Sequence, residues 1–314
     1  MKLLNVLIIL CVSFFLTNCS DNATSTDAKD NSTAQATSNT AQEKPASKLT
    51  INTNDDVAKA DREEESLPLP SSPEINKKKT ANTDSELVVN MSTDFDANYL
   101  MGKFDPKTHK DFTAIKSQHA SYGGMLMRKD AYTQFVKMYE AAKKDGVYLK
   151  IISATRPFHH QKRIWNAKWT GKRKVDGKLL AKAVRDPEGR ALKILRWSSM
   201  PGTSRHHWGT DIDLNNLNNS YFATGTGKKM YDWLVANAST YGFCQVYSPK
   251  DEKRPDGYQE EKWHWSYIPV SKKLTNLYKE KIKNGDIKGF EGAESAEMID
   301  VVQKYVLGIN QDCM

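Results

Sequence analysis

Residues 20–90 contain no Phe, Trp or Tyr, whereas all seven Trp and all 13 Tyr of this 314-residue chain lie after position 94. A segment without large apolar side chains buries too little surface to offset a backbone ordering cost of about 1–2 kcal/mol per residue. Residues 20–91 therefore read as a tether, and the core must come from residues 92–314. Charge divides at the same place. Residues 20–90 hold 8 Lys or Arg against 13 Asp or Glu, so that, with Lys2 set aside, the part after residue 90 carries +12 of an overall +8. Its lysines are spread over several segments instead of forming one stripe, which argues against nucleic acid as a partner and suits an anionic cell-envelope surface. The one long apolar run, Leu3 to Leu16, is shorter than the roughly 20 residues a spanning helix needs, which excludes a multi-span membrane protein.

That run, preceded by Lys2 and followed by Leu16-Thr17-Asn18-Cys19, resembles the signal peptide and lipobox of bacterial lipoproteins, with Cys19 as the lipidated residue. Asn18 departs from the small residue usual at that place. The resemblance implies a signal over residues 1–19, a lipid anchor in the membrane and a cell-envelope location. Ser20 resembles the outer-membrane sorting pattern, should the cell be Gram-negative. Of the four cysteines, Cys11 falls in the signal and Cys19 takes the lipid. Cys244 and Cys313 remain as the two thiols of an exported domain, and a disulfide between them is expected.

Apolar residues at three- and four-residue steps, ending before Gly146, predict an amphipathic helix over Lys129 to Lys144. A buried strand is expected at Val147 to Ala154 and a helix after Pro157 covering Gln161 to Lys168. Further helices fit Pro187 to Arg196, Lys228 to Ser239, Ser271 to Lys283 and Ala293 to Tyr305; strands fit Thr210 to Leu214, Gly242 to Tyr247 and Trp263 to Ile268. Helices and short strands without regular βαβ alternation predict an α+β domain, a small antiparallel sheet with helices around it.

Two segments hold most of the metal-competent side chains: Ser204-Arg205-His206-His207-Trp208-Gly209-Thr210-Asp211-Ile212-Asp213 and Glu261-Lys262-Trp263-His264-Trp265. A catalytic zinc wants three ligands from His, Asp and Glu plus an open position. His206, Asp213 and His264 would supply them, with Glu261 free to carry a proton. Strand alternation puts His264 and Ser266 on one face and Trp263, Trp265 and Tyr267 on the other. By the same rule Asp211 and Asp213 share a face, so alternation does not choose between them. Glu261 and His264 differ by an odd number and must be reconciled by a strand entrance or a bulge.

The spacing Ser204-x-His206-x-x-Gly209-x-x-x-Asp213, followed by Glu261-Lys262-Trp263-His264, resembles the VanY-type zinc D-alanyl-D-alanine carboxypeptidases, relatives of VanX dipeptidases, phage endolysin peptidases and the hedgehog amino-terminal domain. Ser153-Ala154-Thr155-Arg156-Pro157 with Gln161 matches the family's strand-end Ser-x-x-Arg and following Gln. The resemblance covers roughly Ile151 to Ile268. It implies a zinc site in a cleft on the sheet, held by His206, Asp213 and His264, with Glu261 as general base, and with Arg156, Gln161 and Ser204 at the substrate. Asp211 stands where Ala is usual, Lys262 where Pro is usual, and Ser266 where Arg is common. Asp211 thus adds a negative charge that would alter substrate choice or compete for the metal. The insert from Trp169 to Trp197, with Arg185, Arg190 and Arg196, is either a wall of the cleft or a solvated basic loop.

The expected activity is release of terminal D-Ala from peptidoglycan stem peptides. A peptidoglycan endopeptidase and a zinc-bearing binding module without activity stand as alternatives, and Glu261 argues against the second.

Overall fold

The computed structural model describes residues 95–314. The expected signal, the lipidated Cys19 and the tether lie outside the described residues. Among the described residues no helix is long and apolar enough to cross a membrane.

The amino-terminal part opens with a short helical turn at Ala97–Leu100 and a hairpin of β1 (Phe112–Ala114) and β2 (Leu126–Arg128). Helix α1 occupies Lys129–Lys144, its Ala131, Phe135, Met138 and Ala142 buried along one face. It stops where Gly146 takes a positive φ of 68°, as expected for a residue without a Cβ penalty there. Strand β3 (Ile151–Ser153), helix α2 (Phe158–Trp169), helix α3 (Pro187–Ile194), β4 (Asp211–Leu214), α4 (Gly225–Asn237), β5 (Phe243–Gln245), β6 (His264–Tyr267) and α5 (Ile268–Lys281) follow.

The central sheet has the order β3-β4-β6-β5, antiparallel throughout. In the β4–β6 ladder Asp211 stands opposite Ser266, Ile212 opposite Trp265 and Asp213 opposite His264. This register sorts the side chains. Ile212, Leu214, Phe243, Trp265 and Tyr267 form a core with α1 and α4 on one side of the sheet. The polar row of Asp211, Asp213, His264 and Ser266 faces the other way, where Ser271 of α5 bonds Ser266 and Thr275 accepts from Arg205. That face is backed by a second core of Trp165, Trp169, Leu274, Tyr278 and the carboxy-terminal residues. On the same face Cys244, opposite Ser266, is disulfide-bonded to Cys313, with Cα atoms 5.8 Å apart. The tail is also held by Asn310, whose N–H donates to the Val246 carbonyl at 2.8 Å.

The α+β architecture with a small antiparallel sheet is the one expected, with differences in extent. The strand expected over Val147 to Ala154 contracts to three residues. The Lys150 N–H goes instead to the Asn215 side chain at 2.7 Å, and Ile151 bridges the chain at His119 and Ser121. The helix expected over Ala293 to Tyr305 is broken. Ser295–Ile299 is helical, Asp300 turns to a φ of 54°, and Val302–Val306 winds as a wider π turn. Asn284 explains the break, because its side chain accepts from Val302 N–H and donates to Asp300 Oδ1, substituting for the helical bonds.

Candidate metal centre

His206 stands in a single 3-10 turn, Arg205–Trp208, closed by Gly209 at φ 72°. A Cβ at Gly209 would collide with the Phe112 ring, so both the turn and the close approach of β1 require glycine. The His206 Nδ1 donates to the Ala154 carbonyl at 2.9 Å, and Arg156 N–H donates to the His206 carbonyl at 3.1 Å. The strand end at Ala154 therefore fixes the ring with Nε2 turned to the cleft.

Strands β4 and β6 bring Asp213 and His264 beside it. His206 Nε2 lies 3.3 Å from Asp213 Oδ2, and His264 Nδ1 lies 3.2 Å from Asp213 Oδ1. One ligand atom from each of His206, Asp213 and His264 can be chosen so that all three lie within 4.8 Å of one another, and all three residues are buried. His206 Nε2 and Asp213 Oδ1 are enclosed without a hydrogen-bond partner. Buried polar atoms are ordinarily satisfied, and two histidines with a carboxylate converging on one point form the donor set that suits a zinc-type cation.

Glu261 joins them through a turn. The His264 N–H donates to the Glu261 carbonyl at 3.2 Å, closing a four-residue loop before β6 begins. The loop breaks the alternation and sets Glu261 Oε2 3.4 Å from His264 Nδ1. Asn219 clasps this turn, accepting from Lys262 N–H at 3.1 Å and donating to the Glu260 carbonyl at 2.7 Å. A proline at 262 would have no N–H to give. Burial pushes the Glu261 carboxyl above the usual carboxylate range, against the pull of His264.

Arg156 leans over the same cleft. Its Nη1 donates to Gln161 Oε1 at 3.0 Å, and its Nη2 lies 3.8 Å from Asp213 Oδ2. Gln161, on α2, is in turn fixed by donation to the Ser199 carbonyl at 2.8 Å. Ser204 lines the cleft with its hydroxyl enclosed and unpartnered. The residues that the resemblance assigns to metal, proton transfer and substrate thus meet in one cleft, Gln161 through its bond to Arg156.

The remaining sequence candidates are placed elsewhere. His207 is buried with both ring nitrogens used, one at 2.5 Å from the Arg156 carbonyl and the other accepting from Gly202 N–H at 3.0 Å. Asp211 is not in the cleft lining; it lies on the far side of His264, 2.9 Å from Nε2. Of the 169–197 insert only Trp197 reaches the cleft. Arg190 covers the Trp169 ring, Arg196 pairs with Asp176 at 2.6 Å, and Arg185 is exposed. Tyr247, which no motif marked, packs its ring 4.8 Å from that of His264. Arg205 is the other unmarked residue. Its position inside the His206 motif was the available signal.

The part of the chain that carries this site is similar in sequence to known proteins. Residues 124–270 match the family model described as VanY: D-alanyl-D-alanine carboxypeptidase. A D-alanyl-D-alanine carboxypeptidase of Enterococcus faecalis is 31% identical over 144 residues, 45% of this chain and 47% of that protein. A Bacillus subtilis relative is 30% identical over 148 residues and is covered over 46% of its length, so the chain spans about half the length of these curated relatives. Among solved structures, the LdcB LD-carboxypeptidase is 25% identical with a TM-score of 0.40, covering 58% of this chain and 81% of that one. VanYB in complex with D-Alanine-D-Alanine is 26% identical with a TM-score of 0.39, covering 55% and 86%. Over residues 124–270, then, this chain is similar to the VanY D-alanyl-D-alanine carboxypeptidase family.

Proposed function

We propose that the chain is a zinc-dependent D,D-carboxypeptidase that releases the terminal D-Ala of peptidoglycan stem peptides. The observation that carries this reading is the convergence of His206, Asp213, His264, Glu261 and Arg156 in one buried cleft. His206, Asp213 and His264 would hold the metal, which when bound polarises a scissile carbonyl and makes water nucleophilic near neutral pH. Glu261 takes a proton from the attacking water and delivers it to the leaving amine. Its burial, which favours the protonated form, suits the second half of that task. Arg156 pairs with the substrate's carboxylate or carbonyl oxygen, in an orientation set by Gln161. Ser204 offers its hydroxyl to the peptide.

The test is mass spectrometry of pentapeptide, tetrapeptide and cross-linked muropeptides incubated with the zinc-loaded full chain. Loss of one D-Ala from the pentapeptide is the expected result. Trimming of the tetrapeptide alone would make it an L,D-enzyme, cleavage of cross-links an endopeptidase, and no turnover by zinc-loaded protein a binding module.

A wall substrate is consistent with the expected lipid anchor at Cys19 and with an envelope location. Metabolic labelling with a fatty acid tests that anchor, since Cys19→Ser should abolish incorporation.

A further inference from the structure

The carboxylate of Asp211 is wholly buried, and each of its oxygens takes two contacts. Oδ1 accepts from Thr210 Oγ1 at 2.7 Å and from Ser266 Oγ at 2.6 Å. Oδ2 faces Arg205 Nε at 3.1 Å and His264 Nε2 at 2.9 Å. The guanidinium does not close a bidentate pair with this carboxylate. Its Nη1 donates to Thr275 at 2.8 Å and its Nη2 to Ser266 at 3.2 Å, while Trp208 packs against its face at 4.7 Å. One edge of Oδ2 is thereby left for the imidazole. Asp211 and Ser266, the two departures from the family pattern on these strands, are cross-strand partners in this network.

The arrangement bears on which nitrogen of His264 carries the proton. The ring presents Nδ1 to Asp213 and Glu261, at 3.2 and 3.4 Å. Either carboxylate would accept a proton there, and an Nδ1–H has no lone pair to give a metal. An acceptor fixed at Nε2 favours the other tautomer. His206 solves the same problem differently, by donating its Nδ1–H to the Ala154 carbonyl.

We propose that Asp211 is a positioning residue that holds His264 as the Nε2–H tautomer with Nδ1 open to the metal, and that Arg205 and Ser266 hold Asp211 in that orientation. The proposal rests on the metal reading of the cleft. Its rival is that Asp211 serves only as counter-ion to the buried Arg205.

Removing both charges separates the two. The full chains of wild type, Asp211→Ala and Arg205→Met/Asp211→Ala are compared for zinc affinity by chelator competition, for melting temperature without metal, and for the His264 Nε2–H signal in ¹H–¹⁵N spectra with zinc. Asp211→Ala strands a buried guanidinium and should lower both stability and affinity. The double variant should regain melting temperature yet bind zinc roughly 10–100-fold more weakly than wild type, the usual size of such an outer contact. Its Nε2–H signal should lose the downfield position of a carboxylate-bonded proton. Zinc affinity of the double variant within threefold of wild type overturns the proposal. If that variant does not fold, Asp211→Leu, which is close in shape and offers Nε2 no acceptor, takes its place, and unchanged affinity overturns the proposal in the same way. Failure of wild type to bind one zinc overturns the metal reading itself, a different result from either.

Discussion

Breaking the Cys244–Cys313 bond should lower stability by an amount set by the length of chain it closes. The two residues are 69 apart in sequence. On the chain-entropy model a loop of that size restricts the unfolded ensemble by about 4 kcal/mol at 25 °C. For a folded part of roughly 220 residues, each kcal/mol moves the melting temperature by about 2–4 °C, so Cys244→Ala/Cys313→Ala should melt roughly 8–16 °C lower. The native tail should stay docked, because Asn310 holds Val246 and Gln245 independently of the sulfurs. The change then lies mainly in the unfolded state, which becomes less compact, and the urea m-value should rise. Calorimetry and urea titration of oxidised wild type, reduced wild type and the double variant supply the measurement. Alkylation of the unfolded, unreduced protein followed by peptide mapping shows whether the bond is present. A fall of less than about 3 °C with an unchanged m-value in protein whose bond is shown to be intact would refute the loop-closure reasoning, which is the source of the magnitude.

Four further outcomes are expected. His206→Ala should lose stoichiometric zinc, and metal analysis showing full occupancy would remove it from the ligand set. Glu261→Gln should keep zinc and lower turnover by roughly 10²–10⁴-fold, the range of a general acid–base contribution; near-normal turnover would exclude that role. Arg156→Lys should keep zinc but lose roughly 10–100-fold in kcat/KM, as one or two charge-assisted bonds are lost, and normal efficiency would make Arg156 structural. The pH dependence of stability should reflect His160, which burial, with Arg156 and Arg163 nearby, pushes down to about 3. The unfolded chain takes up that proton near the ordinary value and the folded chain does not. Stability therefore falls as pH drops from about 6.5 toward about 3, by about 2–3 kcal/mol at pH 4.5. Urea midpoints at pH 7 and 4.5 should differ less in His160→Gln; an equal drop would show that the loss arises elsewhere.

Local signals were legible where one side chain pattern decided the outcome. Lys129 to Lys144 is bounded as the apolar spacing and Gly146 indicate, and alternation separated Trp265 and Tyr267 from His264 and Ser266. What escaped was set by distant partners. The parity conflict between Glu261 and His264 is resolved by a turn that Asn219 clasps. The last expected helix is interrupted by Asn284. The role of Asp211 depends on Thr275 and Ser271, which α5 brings back beneath the sheet. A motif names the residues of such a network without stating which of them face one another.

The β4–β6 register carries a consequence for folding fidelity. Asp213 and His264 pair across two strands whose other face is Ile212, Leu214, Trp265 and Tyr267. A slip by one residue would turn the acids and imidazole into the apolar layer and push Ile212 or Trp265 toward the cleft. Each wrongly placed charge would be buried without a counterpart, a penalty of several kcal/mol. The row of residues that serves the metal thus proofreads the sheet before any metal arrives, and a chain that passes the check has its ligand atoms already in place.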